Sequence, residues 1–155
     1  MAFDQERWGT DLQLLRNLEF QTDYQRGRDL AVRQREETSQ TDLATLSDAD
    51  NLKQALLLRF LTPAGELAVL GHPNYGSRLF ELLGEPNTDT TRNRAKLYVL
   101  QALSAEPRVS EVRAVRVTQN AADRSRIDIN VSLVAGEAET IINLVFPFFL
   151  EGGVA

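Results

Sequence analysis

Ala102-Leu103-Ser104-Ala105-Glu106-Pro107-Arg108-Val109-Ser110-Glu111 is the stretch on which the fold turns. Upstream of it, Ala95, Tyr98, Val99, Ala102 and Leu103 recur at i, i+3, i+4, i+7 and i+8. That spacing puts one apolar stripe on a helix over residues 88–104. Downstream, the period falls to two, which is the period of strands. Pro107 marks the change: it has no N–H to donate and pushes the residue before it out of the α region. The helix therefore stops at about Ala105. Glu106 and Arg108 then flank a residue of fixed φ, so a short rigid corner carries one acid and one base. Such a corner suits docking to another protein. The plainer reading is a helix stop with two solvated charges.

Three strands follow the corner. Val109 to Thr118 alternates imperfectly, slipping between Val112-Ala114 and Val115-Val117, which predicts a bulge. Asn120 to Ser125 reads as a hairpin loop. Ile127, Ile129, Val131, Leu133 and Ala135 alternate cleanly with Asp128, Asn130 and Ser132, as in a half-buried strand. After a turn at Gly136-Glu137, a last strand runs from Ala138 to Phe148. Beyond Ile141 both of its faces are apolar, through Leu144, Val145, Phe146 and Phe148. A strand apolar on both sides must be covered on both sides. Pro147 argues against a central position, and an apolar edge is a hazard unless a partner takes it. Either the domain's own helices cover both faces, or a partner adds a strand.

Upstream of the long helix, Ser47-Asp48-Ala49-Asp50 has the form of a capping box. It opens a helix through Leu52, Ala55, Leu56, Arg59 and Phe60 that ends near Thr62, because Pro63 follows. Leu79, Phe80, Leu82 and Leu83 predict a further helix, closed by Gly84. The first part of the chain is weakly patterned. Asp11-Leu12, Asp29-Leu30 and Asp42-Leu43 each open a short apolar stretch, read as strands or extended arms, with a helix from Asp29 to Glu37 as the rival for one of them. Trp8 reads as a packing anchor. The expected fold is α+β: three main helices on a small, largely antiparallel C-terminal sheet. Residues 1–46 form an extended arm, 47–150 the domain and 151–155 a tail.

The chain has 155 residues, a net charge of −5 and no cysteine. Disulfides and thiolate metal sites are excluded. Residues 1–50 hold 11 acidic and 6 basic side chains, whereas the remainder holds 11 of each, so the whole acidic excess is N-terminal. Nothing makes a basic footprint for nucleic acid; Arg92, Arg94 and Lys96 read as a solvated helix face. No apolar run reaches membrane-spanning length. His72 is the only histidine and reads as part of a surface Gly-His-Pro-Asn turn, which argues against a histidine-based triad, and a two-histidine metal site is unavailable. Glu81, Glu85 and Glu106 are the candidates for a glycosidase pair, but no aromatic sugar platform surrounds them. The expectation is a non-enzymatic protein without metal or cofactor.

Five landmarks occur in order: Asn51-Leu52-Lys53-Gln54-Ala55-Leu56, Leu61-Thr62-Pro63-Ala64-Gly65-Glu66-Leu67, Pro73-Asn74-Tyr75-Gly76-Ser77-Arg78-Leu79, Glu106-Pro107-Arg108 and Asn143-Leu144-Val145-Phe146-Pro147-Phe148. Together, over about residues 47–150, they resemble the baseplate wedge and sheath-initiator proteins of contractile phage tails and their relatives in type VI secretion and contractile injection systems. The resemblance implies a structural block made in the cytoplasm and then built into a particle in sixfold copy. Its implied partners are baseplate wedge proteins, sheath subunits and the central spike, hub or tube initiator, with neither nucleic acid nor membrane insertion. It implies that Glu106, Pro107 and Arg108 meet the wedge core. It also implies that the last two strands, with Asn143, Leu144, Val145, Phe146 and Phe148, template the first sheath ring. Two rivals remain: a regulatory binding module of the same fold, and a lysozyme-like peptidoglycan hydrolase, a label some relatives have carried.

Overall fold

The computed structural model describes residues 8–15, 30–136 and 139–151. Expectations that fall on Asp29, on Glu137 and Ala138, and on the tail beyond Glu151 lie outside the described residues.

The C-terminal half follows the strand pattern. β5 (Val109–Gln119), β6 (Arg126–Ala135) and β7 (Thr140–Phe149) form an antiparallel sheet in the order β5-β6-β7. The β5–β6 register shifts between Val109 and Glu111 and again between Val112 and Ala114, where the alternation slips. The sheet's inner face carries Val115, Ile127, Ile129, Val131, Leu133, Ile142, Leu144 and Phe146, all buried. Against it pack α1 (Asp48–Leu61) and α2 (Asp89–Ser104). The stripe Ala95, Tyr98, Val99, Ala102 and Leu103 is buried as its spacing requires. Phe60 of α1 meets Phe146 of β7, with ring centroids 5.6 Å apart.

Two expectations are corrected. Among the described residues there are two α-helices, not three: Leu79–Leu82 makes a single 3-10 turn. It is hemmed by Gly76 on one side and Gly84-Glu85-Pro86 on the other, which leaves too few residues to repay helix nucleation. The capping box at Ser47 does not form either. The Ser47 hydroxyl donates to the Asp48 carboxylate at 3.4 Å, and Asp48 takes a left-handed φ of 55° that swings the chain into α1. Thr88 does cap α2, accepting from the Thr91 N–H at 3.2 Å.

The N-terminal residues make two small antiparallel pairs, β1 (Thr10–Leu12) with β4 (Thr45–Ser47) and β2 (Val32–Gln34) with β3 (Thr41–Leu43). Gln54 of α1, itself buried, fastens the first of them. Its Nε2 donates to the Leu12 carbonyl at 2.9 Å, and its Oε1 accepts from the Leu14 and Leu15 N–H groups at 2.8 and 3.0 Å.

The segment after α1 is stitched to the one before the 3-10 turn. Ser77 donates its N–H to the Thr62 carbonyl at 2.9 Å and its hydroxyl to that of Phe60 at 2.8 Å. Gly76 makes this possible: its φ is +107°, and a Cβ there would lie 2.5 Å from the Thr62 oxygen. Gly76→Ala is therefore expected to lower stability by about 2–3 kcal/mol. Chemical denaturation checks this; an unchanged midpoint would show that the two segments can separate at no cost.

Candidate functional site

α1, the Tyr75 segment and the proline corner converge on one buried charge cluster. α2 ends at Ser104, and the Glu106 N–H returns to the Leu103 carbonyl at 3.1 Å, so the chain turns inward before Pro107. This places the Glu106 side chain at 6% exposure. Its Oε1 accepts from Arg108 Nε at 2.7 Å and from the Arg108 backbone N–H at 3.3 Å. Its Oε2 accepts from Arg108 Nη2 at 3.2 Å and from Arg59 Nη2 at 3.3 Å. The Arg59 guanidinium also lies 4.6 Å from the Tyr75 ring centroid, a cation over an aromatic face. Arg108 Nη1 reaches the Trp8 carbonyl at 3.4 Å, which Asn51 Nδ2 shares at 2.8 Å.

The electrostatics follow from the geometry. Burial pushes the Glu106 carboxyl up, but hydrogen bonds from Arg108 and the charges of Arg108 and Arg59 outweigh it, leaving the group below its ordinary value. Burial raises the Tyr75 hydroxyl. The cluster is thus a fixed, ionised carboxylate between two arginines. Of the expected acid–base pair, Glu106 faces inward rather than outward; the corner shows solvent the exposed Pro107 and the partly exposed guanidinium of Arg108, whose side chain is 28% exposed.

Arg59 and Tyr75 appear in the sequence only as members of a helical repeat and a turn. One signal marks Arg59: it is a cation on the apolar side of α1, beside Phe60 and three residues after Leu56. Long charged side chains at such positions are rare unless paired.

The last strand divides by face. Leu144 and Phe146 are buried in the core and Phe148 is half-buried, whereas Asn143 and Val145 are exposed, as is Ile141 at 53%. The second face of β7 is therefore open over Ile141, Asn143 and Val145, whereas Pro147 farther along it is buried. Among the described residues no strand pairs with its outer edge. The corner and this strand are separate features joined through the core, by Arg59 and Phe60 of α1.

The three carboxylates that could serve a glycosidase are each held by arginine. Glu81 accepts from Arg78 Nε and Nη2 at 2.9 Å and from the Tyr98 hydroxyl at 3.1 Å. Glu85 accepts from Arg94 at 2.6 and 2.7 Å. Hydrogen bonds from Arg78 hold Glu81 below its ordinary value, and Glu106 is shifted the same way. A general acid needs the opposite shift. Among the described residues no group of three His, Asp or Glu side chains is placed to hold a metal ion, and no helix is long and apolar enough to cross a membrane.

Comparison with known proteins adds two findings. A family profile described as baseplate wedge protein gp25 matches residues 46–137, more than half of the chain. Among solved structures, a Geobacter sulfurreducens protein labelled a tail lysozyme is similar, with 25% identity and a TM-score of 0.60. The superposition covers 70% of this chain and 97% of that one. No curated protein matches the chain.

Proposed function

We propose, from the premise that this chain belongs to the baseplate wedge protein gp25 family, that it is a structural baseplate block which docks to the wedge core and templates the first sheath ring. The observation that carries this reading is β7. It is the last strand of a three-stranded sheet, with its outer edge unpaired among the described residues and Ile141 and Val145 exposed beside it. A preformed edge spares an incoming sheath arm the ordering of its own pairing partner, and strand addition then supplies main-chain hydrogen bonds. The corner supports docking from the other side. Glu106 braces Arg108 from within, so a wedge partner would meet a guanidinium whose orientation is already set. Pre-orientation reduces the ordering cost of binding.

The test is recovery of the tagged chain from cells producing its contractile particle. Wedge and sheath subunits should co-purify in fixed ratio. Recovery as a free monomer, or clearing of peptidoglycan by the purified chain, would overturn the reading.

A further inference from the structure

A cleft of about 250 Å³ lies between the first half of α2 and β5. Arg92, Asn93 and Lys96 line it from the helix, and Val115, Arg116, Val117 and Thr118 from the strand. Successive strand residues face opposite sides of a sheet. A cleft that touches four in a row therefore follows the strand's edge. Among the described residues β5 pairs only with β6, so the backbone groups along this edge have no strand partner. A helix beside an unpaired strand is a geometry that takes up extended peptides.

The lining says what kind. Its charged groups are all cationic. Arg92 is already engaged, by Asp89 and by the Asn87 side chain at 2.6 Å. Lys96 and Arg116 are exposed and, among the described residues, have no ion-pair partner. Val115 is buried and Val117 half-buried at the floor. Residues 51–155 carry no net charge, so this cluster of cations is a local feature of an otherwise neutral part of the chain.

We propose that the cleft takes up an extended acidic segment of a partner protein, added to β5 as a fourth strand. Apolar side chains of the segment face Val115 and Val117, and its carboxylates meet Lys96 at the rim and Arg116 on the outer face. The site lies on the edge opposite β7 and does not rest on the family assignment.

The experiment is a fluorescence-anisotropy titration of the full chain with a labelled peptide of about ten residues alternating glutamate and valine. A second peptide carries lysine in place of glutamate. The acidic peptide should bind about tenfold tighter or better, and its binding should weaken as salt screens the contacts. The double variant Lys96→Glu, Arg116→Glu should lose about tenfold in affinity while its thermal unfolding stays unchanged. Hydrogen exchange should slow at Val115 and Val117, whose N–H groups point away from β6. Equal binding of both peptides, no binding, or protection of β7 instead would overturn the proposal. So would full competition by a single-stranded oligonucleotide, or a dimer through β5 that excludes the peptide.

Discussion

Replacing Glu106 by alanine is expected to cost about 3–5 kcal/mol of folding stability, a large part of what holds a domain of this size together. The cost comes from what stays behind. Arg59, with a side chain 10% exposed, would keep its charge, and among the described residues the Glu106 carboxylate is the one acid with which it forms an ion pair. Arg108 can turn toward solvent and recover part of its hydration; Arg59 is held on α1 beneath the Tyr75 ring and cannot. Glu106→Gln separates charge from shape, since the amide fills the same space. If it destabilises nearly as much as alanine, the charge is the cause. The pH dependence has a definite sign. The folded carboxyl titrates below its ordinary value, so its contribution is present above about pH 4.3 and is lost as pH falls through the folded value. Urea denaturation of wild type and Glu106→Gln between about pH 3 and 7 checks both points, with the variant losing less stability on acidification. A cost below about 1 kcal/mol, or parallel pH profiles, would show that the cluster is well solvated.

Much of the fold is readable from local pattern, because its elements are local. The stripe from Ala95 to Leu103 and the alternation from Ile127 to Ala135 each reflect one face meeting one core. Pro63 and Pro107 set helix ends by covalent geometry, which no tertiary contact can change. The corner's true environment was not readable in that way. Whether Glu106 points to solvent or to Arg59 depends on a partner 47 positions away, and nothing within the corner records it. The missing third helix shows the same limit from the other side. Leu79, Phe80, Leu82 and Leu83 have helical spacing, yet the backbone at Gly76 and the break at Pro86 leave room for only one turn. The hold of Gln54 on the arm was hidden because a glutamine on a helix reads as surface unless its backbone partners are known. The five landmarks gain a physical meaning once folded. Arg59 follows the first by three residues, the second and third are bonded at Thr62 and Ser77, and the fourth supplies Glu106. The last sends Phe146 against Phe60.

Prolines placed together at Asn143 and Val145 are expected to cut sheath nucleation on the order of a hundredfold while leaving the chain folded and incorporated into baseplates. The argument starts from Pro147, which sits opposite Asp128 in the β6–β7 register. Residues of an antiparallel pair alternate between those whose backbone groups point at the partner strand and those whose groups point away. A proline keeps the ladder whole only in the second set. Asn143 and Val145 share that phase with Pro147, so their N–H groups are the outward ones, and both side chains are exposed. Two further prolines would remove the donors an incoming strand needs and leave the inner ladder to β6 intact. Each lost donor removes about 0.5–1.5 kcal/mol from strand addition, and the rings obstruct close approach, so nucleation should fall on the order of a hundredfold. Proline can also alter β7 itself. The control is therefore Ile142→Pro, in the inward phase, which should unfold the sheet and prevent incorporation altogether. Electron microscopy of particles carrying each variant reads the outcome. Sheaths of normal length and number on Asn143→Pro, Val145→Pro baseplates would show that strand addition at β7 does not set the first ring.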